Sequence, residues 1–165
     1  MEFTLQTFAK VAWIGVGATL VLDLWALLLR RLGVPTLDIT LIGRWIGHWR
    51  RGVFAHAAIG QAPAVPGERA LGWLFHYATG IAFAALLVAL HGHAWLAAPS
   101  PLLAICFGVA TVAAPWLLMQ PAMGAGLASS RTRTPGRNRV RSLANHFVFG
   151  FGLYLAAVVV ARISR

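Results

Sequence analysis

The sequence predicts an all-α fold, a four-transmembrane-helix bundle, and three observations carry that prediction. Four apolar runs, Val11–Leu29, Ala70–Leu90, Leu102–Gly126 and Leu143–Ala161, can each cross a hydrocarbon core of about 30 Å at about 1.5 Å per residue. Asp23 is the one formally charged residue inside them. The basic residues gather in two of the three connecting loops. Lipid offers the backbone no hydrogen-bond partner, so spanning segments must be helices or a closed barrel. A barrel would show short alternating segments, and a soluble bundle would need a polar stripe along each helix; neither pattern is present. The length of 165 residues fits one integral membrane domain over 1–165.

The net charge of +10 does not point to nucleic acid, because of where the charges lie. Arg30, Arg31, Arg44, Arg50, Arg51 and Arg69 flank or fill the first loop, and Arg131, Arg133, Arg137, Arg139 and Arg141 fill the third. The second loop, His91–Pro101, holds no Lys or Arg, and the ends of the chain carry Lys10, Arg162 and Arg165. This asymmetry predicts loops one and three in the cytoplasm and both termini outside. The lipid bilayer, through its anionic headgroups, is the expected partner of these arginines.

The first run is too long for a signal peptide, contains Asp23 and ends in Arg30 and Arg31, so it is expected to be retained. After it, segment 38–54 places Ile39, Ile42, Ile46, Trp49 and Val53 at helical spacing opposite Thr40, Arg44, His48 and Arg51. An amphipathic helix in the headgroup plane is predicted, with Arg44, Trp45, Trp49, Arg50 and Arg51 at the membrane surface. Gly43, Gly47 and Gly52 weaken that helix, and His48 and His56 read as solvent or headgroup contacts. Pro63, Pro66 and Gly67 turn the chain into the second helix, whose first turn holds Glu68. Pro115 and Pro121 predict kinks in the third helix, which should end near Gly126, and 129–138 reads as a polar turn region. Cys106, the one cysteine, reads as a small core hydrophobe, and His91, His93 and Trp95 as outer-interface anchors. A duplication of two parallel hairpins is hinted at by His76-x-x-x-Gly80 and His146-x-x-x-Gly150, with Ala18-Thr19 echoed by Ala110-Thr111.

Counted from the cytoplasmic ends, Asp23, His76, Gln120 and His146 all lie roughly 8–11 Å deep, one per helix. Such groups usually face a bundle interior and pair with one another. Thr19, Glu68 and Tyr154 extend the same faces, and Met119 and Met123 stand nearby on the third helix. The set predicts a site that binds or passes a proton, a cation or a small solute, with Asp23 carrying charge and the histidines as proton carriers. Other readings stay open. His76, His146 and Asp23 are candidate metal ligands, with the methionines adding soft donors, and a bis-histidine haem b would find room at Gly80 and Gly150. No cofactor is required. The cluster could also serve only to fix the bundle, and the chain could be a non-catalytic accessory subunit of a larger membrane complex or a homodimer. No activated Ser or Cys, paired carboxylate set or zinc-protease motif marks an enzyme; Ser129 and Ser130 have no local histidine.

Four segments, Gly15–Trp25 (GVGATLVLDLW), Gly43–His48 (GRWIGH), Val65–Tyr77 (VPGERALGWLFHY) and Gln120–Arg131 (QPAMGAGLASSR), resemble the bacterial domain-of-unknown-function family 2938. The resemblance runs from about Gly15 to Ala157 and implies a small four-helix protein of the bacterial inner membrane. It implies no catalytic residue and no ligand.

Overall fold

The computed structural model describes residues 5–164. The helices are α1 (Leu5–Arg31), α2 (Ile39–Trp49), α3 (Glu68–Ala97), α4 (Pro101–Ala110), the short α5 (Gln120–Ala122) and α6 (Pro135–Ile163). A π turn, Pro115–Met119, precedes α5, and 3₁₀ turns occupy Ile59–Gln61 and Leu127–Ser129. Among the described residues, Leu5–Arg31, Glu68–Ala97, Pro101–Ala122 and Pro135–Ile163 are long and apolar enough to cross a membrane. The chain groups into two compact units: Met1–Thr36, Tyr77–Thr111 and Ala144–Arg165 form the first, Leu37–His76 and Val112–Leu143 the second.

The first unit is built from α1, α4 and parts of α3 and α6, and it packs by backbone approach. A Cβ on Gly15 would lie 2.5 Å from the Ile81 Cα, and one on Gly80 would strike the Thr19 hydroxyl. A Cβ on Gly108 would lie 2.6 Å from the Gly150 nitrogen. Thr19 donates to the Gly15 carbonyl (2.8 Å), and Thr111 donates to that of Gly108 (2.5 Å). Two helix crossings therefore share one recipe, in which a glycine meets a glycine-bearing helix and a threonine bonds back to the glycine carbonyl. The His-x-x-x-Gly echo marks these two crossings. Ile14, Leu87, Val88 and Leu153 fill the space around them and are fully buried.

The second unit packs α2 against the start of α3. Gly43 lies on the Glu68 carbonyl and the Gly72 nitrogen, Gly72 on the Ile39 carbonyl, and Gly47 on Val65. Of the glycines read as weakening α2, Gly43 and Gly47 are its contact points, and Gly52 lies past its end with nothing within 4 Å of a Cβ there. Trp45, Ile59 and Met123 form the buried apolar centre, with Phe75 and Met119 against it.

The structure corrects several expectations. α1 continues to Arg31 and stops at Gly33 (φ 73°), where the Val34 N–H reaches the Leu29 carbonyl. The third spanning segment ends at Ala122, because Gly124 (φ 92°) closes a Schellman turn with Gly124 N–H on Pro121 and Ala125 N–H on Gln120. α6 begins at Pro135 rather than near 143, since proline suits a first helical turn, and it carries the third-loop arginines from Arg137 to Arg141. Cys106 is exposed rather than in the core, and Trp95 is buried (4% exposed).

Gly15→Val and Gly108→Val should each destabilise the folded chain by about 1–3 kcal/mol through overpacking. Gly136→Ala, where a Cβ meets open space, should not. Thermal unfolding in mild detergent checks this, and unchanged midpoints for both valine variants would refute the packing scheme.

Candidate functional site

In the second unit, α2 starts at Asp38, whose carboxylate accepts from the Thr40 N–H (2.9 Å). One turn on, Gly43 seats α2 against the first turn of α3, and Arg44 reaches Glu68. Its Nε and Nη2 donate to the two carboxylate oxygens at 2.9 and 2.8 Å, and Nη1 donates to the Ala62 carbonyl at 3.2 Å. Glu68 also accepts from the Val65 N–H (2.9 Å), so one carboxylate fastens α2, the loop and the α3 N-terminus. The side chains are only 16% and 14% exposed. Hydrogen bonding to Glu68 raises the Arg44 pKa and keeps the guanidinium charged.

Another turn on, Gly47 seats against Val65 and His48 turns inward, 5% exposed. Its Nε2 stands 3.0 Å from the Pro63 carbonyl and its Nδ1 2.6 Å from the His56 Nε2. A carbonyl only accepts, so His48 Nε2 carries a proton. With His48 neutral, its Nδ1 accepts from His56 Nε2–H. The tautomers, assigned from these partners, leave His56 Nδ1 as the position open to a further proton. That atom is buried with no hydrogen-bond partner. Burial pushes the His56 pKa down, the neighbouring His48 adds to this, and the Ala122 carbonyl opposes it. The pair is held from behind, with His56 N–H on the Ala122 carbonyl (2.8 Å), Ile59 N–H on Met123 (3.1 Å), and Gly124 pressed against Ala57.

Beyond α5 the backbone enters the left-handed region at Ala128 (φ 46°) and Ser129 (φ 63°). Such strain in non-glycine residues persists only where neighbours enforce it. Ser129 is buried; its hydroxyl donates to the Gln120 side chain (3.0 Å), and its carbonyl accepts from Thr132 (2.7 Å). Gln120 donates in turn to Ser142 (3.4 Å), and Arg139 donates to the Ala128 carbonyl (2.8 Å).

The first unit holds two further pairs. Tyr77 donates to Asp23 at 2.8 Å. Thr111 Oγ1 stands 2.8 Å from His146 Nδ1 and gives its own proton to Gly108, so His146 donates from Nδ1 and presents Nε2 as an acceptor.

The residues singled out from sequence thus acquire specific partners: Asp23 has Tyr77, Gln120 has Ser129 and Ser142, His146 has Thr111, and the His76 ring stands 5.8 Å from that of Trp73. Thr19 serves a helix crossing, Tyr154 packs on the first unit's core, and Glu68 is bound to Arg44. The membrane-surface set divides. Arg50, Arg51 and Trp49 are exposed, whereas Arg44 is paired, and Trp45 is 8% exposed with its indole N–H on the Phe54 carbonyl (2.8 Å). His48 and His56 are paired rather than free contacts, because the returning loop covers the face that the helical pattern reads as polar.

Among the described residues, no group of three or more His, Cys, Asp and Glu side chains could hold a metal ion. Met119 and Met123 lie in the apolar cluster of the second unit. The haem reading loses its ground as well. The space at Gly80 is taken by Thr19 and that at Gly150 by Ala104 and Ile105, so neither glycine leaves room for a macrocycle.

Fold and site together define an α-helical protein with four membrane-length helices and hydrogen-bonded titratable pairs. The chain belongs to the family of proteins of unknown function DUF2938, whose profile matches residues 12–160. No curated protein and no solved structure matches it.

The lowered His56 pKa sets a pH dependence. The unfolded chain binds this proton near pH 6.5, the folded chain only below that, so the stabilisation is complete above about pH 6.5 and is lost as pH falls through the folded value. His56→Gln should flatten that acid-side loss in unfolding midpoints; a variant as acid-sensitive as the parent chain would contradict it.

Proposed function

We propose that this is a proton-binding membrane protein, multi-pass in the bacterial inner membrane with its basic loops cytoplasmic, in which the His48–His56 pair takes up and releases the proton. The observation that carries the reading is the proton count of that pair. Pro63 and the inter-ring bond fix three of the four ring nitrogens, leaving His56 Nδ1 for one more proton. Histidine is the side chain whose ordinary pKa lies within physiological range. In the first unit, Asp23–Tyr77 and His146–Thr111 each join a titratable group to a hydroxyl, which can donate and accept and so pass a proton. Gln120 does not titrate; its role is to hold the Ser129 turn.

Charge favours a proton over a metal cation. The second unit holds nine arginines (44, 50, 51, 69, 131, 133, 137, 139 and 141) against two carboxylates, Asp38 and Glu68. Both acids are engaged, one as a cap and one with Arg44. A hydrated cation meets an excess of positive charge there, whereas a proton can arrive by exchange along hydrogen bonds.

Nitrogen-15 NMR of histidine-labelled protein in nanodiscs tests the reading. His56 should gain its proton only below the ordinary histidine value, and His56→Gln should abolish that step. Proton uptake by His56 at the ordinary histidine pKa would defeat it.

A further inference from the structure

A groove of about 430 Å³ opens on the second unit between α2 and the first turns of α3. Its volume falls within the range of small-molecule sites, about 300–1,000 Å³. Ile46, Ala70, Leu71 and Leu74 form apolar walls, and Gly47, Pro66 and Gly67 lie between them. Gly67 faces open space at φ 76°. Arg50 is the one charged residue in the lining. It is exposed, makes no carboxylate pair among the described residues, and is followed in sequence by Arg51. Leu74, 69% exposed, sits on a helix long and apolar enough to cross a membrane.

We infer that this groove is a site for one anionic phospholipid, with the phosphate on Arg50 and an acyl chain along Ile46, Leu71 and Leu74. The occupant needs one negative group attached to an apolar chain. A free phosphate would leave the walls unused, and an uncharged chain would leave Arg50 unpaired. Excess positive charge on the unit selects an anionic over a zwitterionic headgroup. The site is separate from the proton reading, since neither His48 nor His56 lines it.

Native mass spectrometry of the intact chain in mild detergent, titrated with phosphatidylglycerol or phosphatidylcholine, tests the inference. One phosphatidylglycerol should bind more tightly than phosphatidylcholine, and Arg50→Gln should weaken it about fivefold, as expected for one surface arginine. Arg51→Gln should change it less. Ala70→Phe and Leu74→Asn alter side chains already exposed and should weaken both lipids, with thermal unfolding reporting that each variant is folded. Retention of phosphatidylglycerol at parental strength in Arg50→Gln and both wall variants would overturn the site. So would displacement of the lipid by glycerol 3-phosphate, or a change in dimer content instead of lipid occupancy.

Discussion

Where helices of this chain meet, main chain lies against main chain, and much else follows from that contact. Helices in lipid gain little from hiding apolar side chains from one another, so packing has to come from close approach and hydrogen bonding. Gly15 against Ile81, Gly108 against Gly150 and Gly43 against Glu68 supply it. Each contact places a neighbour. Gly15 and Gly108 expose carbonyls to Thr19 and Thr111, and Thr111 then orients His146. Gly43 delivers Arg44 to Glu68, and Gly47 against Val65 brings His48 within reach of Pro63. The polar chemistry of the second unit is thus built on positions that have no side chain.

Much of the architecture was legible because lipid imposes a plain rule: long uncharged runs must be helices. Of the polar residues picked out of the apolar runs, Asp23, Gln120 and His146 do engage polar partners. The partners themselves were not legible. Tyr77 and Thr111 are ordinary residues of apolar helices until the packing is known. The histidine pair was misread because a helical pattern shows which residues share a face and not what covers that face. His48 shares one with Arg44, and the chain returns through the Ile59–Gln61 turn to bury it. The signal available was the density of Gly43, Gly47, Pro63, Pro66 and Gly67 in one loop, which suits close packing better than a helix afloat at a surface.

The resemblance segments gain meaning from their positions. Gly43–His48 and Gln120–Arg131 fall wholly in the second unit, and Val65–Tyr77 does so except for its last residue. They supply the Arg44–Glu68 pair, His48, and the strained Ala128–Ser129 turn with its Gln120 support. Two left-handed non-glycine residues in a row are costly, and this chain keeps them bonded on both sides. The least regular part of the molecule is therefore among its most constrained.

The π turn before α5 has a consequence for how the third spanning segment tolerates change in length. Its wider ring sets the Gln120 N–H on the Pro115 carbonyl, five residues back, and so inserts one residue into the helical register. Removing a residue between Trp116 and Met119 would let an ordinary α-helix re-form with everything beyond it facing as before, whereas closing the turn to α geometry with all its residues present would swing everything beyond it by about 100°. Gln120 would then leave Ser129 and Ser142, and Met123 would rotate away from Trp45. A single-residue deletion here would therefore keep the faces of the second unit in place. The extra residue acts as an angular spacer, and its position in the chain matters more than its identity.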